Sequence, residues 1–191
     1  MSRTDKLYAF AYRGLLARQA IADNHEVKGS EKKLNHIASR IPLRFLYDAL
    51  LNPAQEMAVV YAAIAAFENA ARGFIEKRLL EEVGSDWWEK CVPEKRRQKA
   101  ESRRDEENRI RWHAKRGDSP LQYTEIEDLS AIIVTNHEKF IAIIQDPEWA
   151  KNIFKIVERS RNIIMHSGYL ESEDIERLGM ALRDWLAQVG S

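Results

Sequence analysis

The sequence predicts an all-α protein, an antiparallel helical bundle with an N-terminal helical extension. Three observations carry this. Eight glycines and five prolines in 191 residues are roughly half the usual share of ~12% for the two together, which leaves few hairpin turns or helix breakers. Apolar residues recur at helical spacing, and no candidate strand interrupts them. Helix starts and stops punctuate the chain: Asn52-Pro53, Asp146-Pro147 and Ser172 open helices, Gly84 and Gly168 close them. Short polar side chains cap free backbone donors, proline is tolerated where no intrahelical donor is needed, and glycine accepts the left-handed backbone that ends a helix.

Before Asn52 the pattern is weaker. Leu7, Phe10, Ala11, Leu15 and Ala22 suggest one amphipathic helix closing near Asn24, and a second runs to about Ser39. Pro42 then sets off Leu43 to Leu51, with Phe45, Leu46, Ala49 and Leu50 at helical spacing. These residues, 1–52, form the extension; 53–191 form the bundle domain. The helix opened at Asn52-Pro53 runs to about Val83 and is apolar nearly all round in its first half, which predicts the buried central helix. Trp87 and Trp88 follow its stop, as aromatic anchors closing a bundle end or, alternatively, as stacking platforms for bases.

Glu94 to Arg116 differs in composition, with ten Lys or Arg against five acids. Such a segment reads as a solvated helix laced with i,i+4 ion pairs or as an arm, and the functional alternative is a phosphate-binding surface with Trp112 interleaved among arginines. Gly117 to Pro120 is a loop, and Thr124 is placed to cap a helix containing Ile126, Leu129, Ile132 and Ile133. From Asp146-Pro147, the residues Trp149, Ile153, Ile156, Ser160 and Ile163 mark one buried stripe. After Ser172, Leu178, Leu182, Trp185 and Leu186 face the core, with acids in the first turn against the positive helix end.

Composition also bounds function. Thirty basic residues balance thirty acidic ones, and 45% of the chain is hydrophobic, the share of an ordinary globular protein. The single cysteine, Cys91, forms no internal bridge and excludes zinc sites built on two or more cysteines; the cytoplasm is the expected compartment. The longest apolar run, Met57 to Phe67, is well short of the ~20 residues that span a bilayer, and reads as core. Leu7 to Ala22 is broken by Arg13, Arg18 and Gln19, so no secretory segment is expected, and the mature chain should begin where the gene does. No Gly-rich phosphate loop or repeat occurs, which excludes nucleotide hydrolysis on an α/β scaffold.

One stretch combines polar clustering with the geometry of a site, Glu158 to Gly168. Glu158, Asn162 and His166 fall at i, i+4 and i+8 and share one column. Arg161 lies about 140° from His166 around the axis, so a straight helix cannot aim both at one small target. Either the helix end unwinds near Gly168 or a two-fold partner completes the site, since an axis point sees each group twice. Taken alone, His166 has a simpler explanation as a cation at a helix C-terminus. His25, His36, His113 and His137 have no ligand-like spacing, and neither a metal nor a cofactor is expected.

Arg161-Asn162, three residues, then His166 resembles the Arg-x4-6-His signature of the HEPN superfamily, including its polar residue after the arginine. Phe67-Glu68-Asn69-Ala70-Ala71-Arg72, with Gly84-Ser85-Asp86-Trp87-Trp88, resembles the first bundle helix and Gly-x-x-Trp-Trp ending of the Swt-type HEPN subgroup. Tyr123, Asp128-Leu129 and Ile132-Ile133 resemble the same subgroup's Tyr-x-x-x-x-Asp-Leu-x-x-Ile-Ile element, with Phe140 at the following aromatic position. The likeness covers about Met57 to Leu186. It implies a bundle that dimerises through the motif helix and, in active members, cleaves RNA without a metal. On that reading Arg161 binds the phosphate, His166 transfers a proton or stabilises the leaving group, and Asn162 orients His166 or the scissile group. Arg159 is the rival arginine, and Glu68 and Asn69 on the neighbouring helix are either supports of the site or, more simply, a capped or solvated polar face of that helix. The expected partners are RNA, a second copy of the chain, and a neutralising or regulatory protein. The expected roles are toxin or antiviral defence or RNA processing; the alternatives are a non-catalytic module for dimerisation and for binding RNA, nucleotide or a partner protein, or a purely structural bundle.

Overall fold

The structure, a computed structural model, describes residues 32–190; the helix expected over Leu7 to Ala22 lies outside them. The chain divides into two compact units between Leu51 and Asn52. In the first, 32–40 are helical and Leu43–Phe45 form a 3-10 turn after Pro42. The elements that follow are α1 (Asp48–Val83), α2 (Trp87–Cys91), α3 (Glu94–Arg109), a 3-10 turn (Pro120–Tyr123), α4 (Ile126–Thr135), α5 (His137–Phe140), α6 (Pro147–Met165) and α7 (Ser172–Val189). The described residues contain no strand, and the second unit is a helical bundle.

The core is organised around aromatic side chains. Phe67 on α1 meets Phe154 on α6 at 5.3 Å and Trp185 on α7 at 5.6 Å, both edge-on, and Phe74 meets Trp185 at 5.8 Å. Trp149 stacks on the same indole. Such T-shaped pairs add about 0.5–1.5 kcal/mol each to what burial supplies. Trp87 and Trp88 are buried against one another. They are therefore anchors, with no face free for a base. Buried Asn136, at the end of α4, donates from Nδ2 to the Cys91 and Ile132 carbonyls, tying α2 to α4.

Several local expectations are corrected. Helix α1 begins at Asp48, not Asn52, so Pro53 lies inside it; the Tyr47 carbonyl accepts from Leu50 and Leu51 instead. The first half of α1 is largely exposed, Val59 at 74%, and burial becomes regular only from Ile64 through Phe67, Ala71, Ile75 and Leu79. By length and composition alone α1 is long and apolar enough to cross a bilayer; Glu68 and Arg72 in its middle are paired within the bundle, and its second half is core. The buried face of α6 is Ala150, Ile153, Phe154, Val157 and Ser160, one step round from the expected stripe, which leaves Ile163 exposed. Leu186 on α7 is exposed as well. Thr124 caps nothing: its hydroxyl donates to the Leu121 carbonyl at 2.7 Å, while Asp128 Oδ2 accepts the Glu125 N–H that precedes α4.

Candidate active site

Helix α6 starts where expected, with Asp146 accepting the Glu148 N–H at 2.9 Å and Pro147 in the first turn. Because its buried face runs through Val157 and Ser160, Arg161 emerges at the margin of the core, beside α1. There its Nε stands 3.0 Å from Glu68 Oε1. The other oxygen of Glu68 accepts from Arg72 Nη2 at 3.0 Å. Arg72 also donates to the carbonyls of Leu121 (3.1 Å) and Thr124 (3.4 Å). One buried carboxylate thus serves two guanidinium groups, and the support expected of Glu68 takes this form. Neither Nη nitrogen of Arg161 has a partner among the described residues, so its planar fork is held at one edge and free at the other.

Helix α3 closes the facing wall. Arg103 donates to the Tyr123 carbonyl at 2.9 Å and pairs with Glu125; Arg96 pairs with Asp128. The expected solvated helix laced with internal pairs is in this respect incorrect: its arginines reach across to the turn before α4, although Gln98 does bond Glu94 within the helix. Between these walls lies a cleft of about 640 Å³ onto which Arg72, Arg103, Arg116 and Arg161 open. The amides of Asn69, Gln122 and Asn162 line it too, as does Glu158. Burial holds the Glu158 carboxyl above its ordinary range, reinforced by the charges of Glu127, Glu125 and Asp128 and opposed by Arg161.

His166 is elsewhere. It is the C-cap of α6, its N–H shared by the Asn162 and Ile163 carbonyls at 3.2 Å each. Its imidazole is exposed, lies outside the cleft and makes no hydrogen bond among the described residues. Asn162 is among the residues lining the cleft, and its hydrogen bond with His166 is through the backbone. Arg159 is exposed and outside the cleft. The helix does end at this point, but not as expected. Ser167, not Gly168, takes the left-handed conformation, with φ 61°. Ser167 N–H bonds the Ile164 carbonyl (3.0 Å) and Gly168 N–H the Ile163 carbonyl (2.8 Å), a Schellman closure. Gly168 is required for a different reason, since a Cβ there would lie 2.8 Å from Ile163 Cγ2. This unwinding does not turn His166 towards Arg161.

Sequence reasoning missed Arg72 and Gln122 as cleft residues, and placed Arg103 and Arg116 only within the alternative phosphate-binding surface of Glu94 to Arg116, without joining that surface to Arg161. Arg72 stood in the motif quoted from the first bundle helix, but nothing in linear order pairs it with Thr124 or Leu121. Among the described residues no three His, Cys, Asp or Glu side chains group as a metal site.

The family model for Swt1-like HEPN domains matches residues 62–190. The chain belongs to this family. Glu68, Arg72, Arg161 and His166 all fall within the matched span, so the cleft and the motif helix are parts of the HEPN domain itself. No curated protein and no solved structure matches the chain. A HEPN-type function follows from membership, and in HEPN domains that function is often RNA cleavage.

Proposed function

We propose that this HEPN protein is a metal-independent endoribonuclease that acts as a homodimer through α6. The observation that carries the reading is Arg161: its Nε is paired with buried Glu68, and the residue lines an open cleft together with Arg72, Arg103 and Arg116. RNA cleavage of this kind needs a base for the 2'-hydroxyl, an acid for the departing 5'-oxygen and a cation beside the crowded phosphorane. The 2'-oxygen bonds to phosphorus as its proton passes to the base, the P–O5' bond breaks, and the leaving oxygen takes a proton, leaving a 2',3'-cyclic phosphate. A guanidinium remains charged throughout and binds two phosphate oxygens at once. An imidazole near neutrality transfers protons in either direction.

Within one chain Arg161 and His166 are separated by about 7.5 Å along the helix and about 140° around it. The apolar setting of His166 supports a second copy as the remedy: Ile163, Met165 and Tyr169 are exposed around it, beside a shallow cavity of about 300 Å³ that Met57 and Tyr61 of α1 also line. A two-fold axis there would bring both histidines and both arginines to one groove. The activity would serve toxin or antiviral defence or RNA processing in the cytoplasm, with a neutralising protein as a further partner. The alternative, a non-catalytic module that binds RNA, nucleotide or protein, is favoured by one observation: no side chain among the described residues orients His166.

The test is incubation of purified protein with labelled RNA in EDTA. Cleavage with cyclic phosphate ends is expected, reduced about 100- to 1,000-fold by Arg161→Ala or His166→Ala, the usual cost of removing a transition-state donor. Tight binding without cleavage would select the module instead.

A further inference from the structure

We propose that Trp112 is a stacking platform for an unpaired RNA base, on a loop that guides single-stranded RNA into the arginine cleft. This deepens the nuclease reading and rests on it for the direction of the strand, but its own observation is independent. Past the C-cap of α3 at Ile110, residues 110–116 form a loop folded back on the helix end. Arg116 Nε lies 2.7 Å from Glu107 Oε1, its N–H donates to Glu107 Oε2 at 3.1 Å, and Lys115 Nζ donates to Asn108 Oδ1 at 2.6 Å. These contacts tie the loop back to the end of α3, and within it Trp112 is 84% exposed. The other tryptophans, Trp87, Trp88, Trp149 and Trp185, all pack in or against the core. Within the described residues the only aromatic neighbour of Trp112 is His113, edge-on at 5.6 Å.

Charge selects the occupant. Arg109, Arg111, Lys115 and Arg116 flank Trp112 along the chain, and no acid occurs from 109 to 116. Arg109 and Arg111 have no ion-pair partner among the described residues. An exposed aromatic face within a cationic surface is what a single strand requires, because every base has a π-face to stack and every linkage a phosphate to neutralise. A duplex hides its base faces and offers only backbone and groove edges. Arg116 also lines the cleft of Arg161, and Trp112 stands four residues before it, no more than about 14 Å along the chain. A strand stacked on Trp112 therefore lies within reach, through Arg116, of the cleft that Arg161 lines, where Arg116, Arg103, Arg72 and Arg161 alternate with the carboxylates that pair them.

The experiment uses the full chain carrying His166→Ala, so that RNA stays intact, with fluorescence anisotropy of a labelled single strand and of the matching duplex in EDTA. Adding Trp112→Ala should weaken single-strand binding by about 10- to 100-fold, with duplex binding and melting temperature unchanged and with Trp112→Phe retaining most of the affinity. Equal single-strand affinity with and without Trp112, or an equal loss on the duplex, overturns the proposal. The two readings fail separately. Trp112-dependent binding in a wild-type chain that cleaves nothing removes the nuclease and leaves the platform. Cleavage that needs Arg161 and His166 but ignores Trp112 does the reverse.

Discussion

At the scale of single residues, an arginine on a helix surface samples many rotamers, and what restricts Arg161 is a carboxylate on another helix. Glu68 is largely shielded from water and already bound to Arg72, so it cannot follow Arg161 outward; the placement of Arg161 is inherited from α1. Removing one partner of a buried charged pair costs about 3–5 kcal/mol because the other is left uncompensated, and Glu68 would strand Arg72. Glu158 makes the opposite contribution. Its folded carboxyl titrates above the ordinary value of 4.5, from burial and the neighbouring Glu127 and Glu125. A carboxyl raised on folding favours the fold while protonated, and that benefit is lost as pH rises from the unfolded value through the folded one. Glu158→Gln should therefore melt at the same temperature as the parent near pH 4 and at a higher one at pH 7, as thermal melts across that range would show.

At the scale of elements, the end of α6 stores strain beside the motif histidine. A left-handed conformation costs a residue with a Cβ about 1–2 kcal/mol, and Ser167 bears it immediately after His166. Ser167→Gly should stabilise the domain by about 1 kcal/mol, read as a rise in melting temperature, whereas Gly168→Ala should destabilise it by contact with Ile163. The sequence pointed to the right place for this stop and the wrong residue for the turn. A Ser-Gly pair allows the left-handed residue at either position, and only the closure onto Ile163 and Ile164 chooses between them. Asp146-Pro147 was legible because its cap is made two residues away, by Glu148. Asn52-Pro53 was not, because helix α1 already runs through it from Asp48. The stripe on α6 was misplaced for a related reason: Ala150, Phe154 and Val157 are as periodic as Trp149, Ile156 and Ile163, and the neighbours, not the spacing, decide which row is covered.

At the scale of the whole molecule, the exposed apolar end of α6 and the uncovered first half of α1 are surfaces that a second copy would bury. Met165, 52% exposed, makes a direct test. Met165→Asp should leave the melting temperature of the monomer unchanged, shift sedimentation from dimer to monomer, and abolish cleavage, because each histidine then lacks the opposite arginine. A monomeric variant that still cleaves at the parental rate would refute the shared site. The sequence by itself determined the helical class, the order of the bundle helices, the family and the motif residues, since these rest on local periodicity, caps and short patterns. Tertiary structure decided that Glu68 holds Arg161, that α3 spends Arg96 and Arg103 on the neighbouring turn, and that His166 stands outside the cleft. These depend on which side chains meet across helices far apart in the chain, and such meetings are set by packing, which linear order does not encode residue by residue.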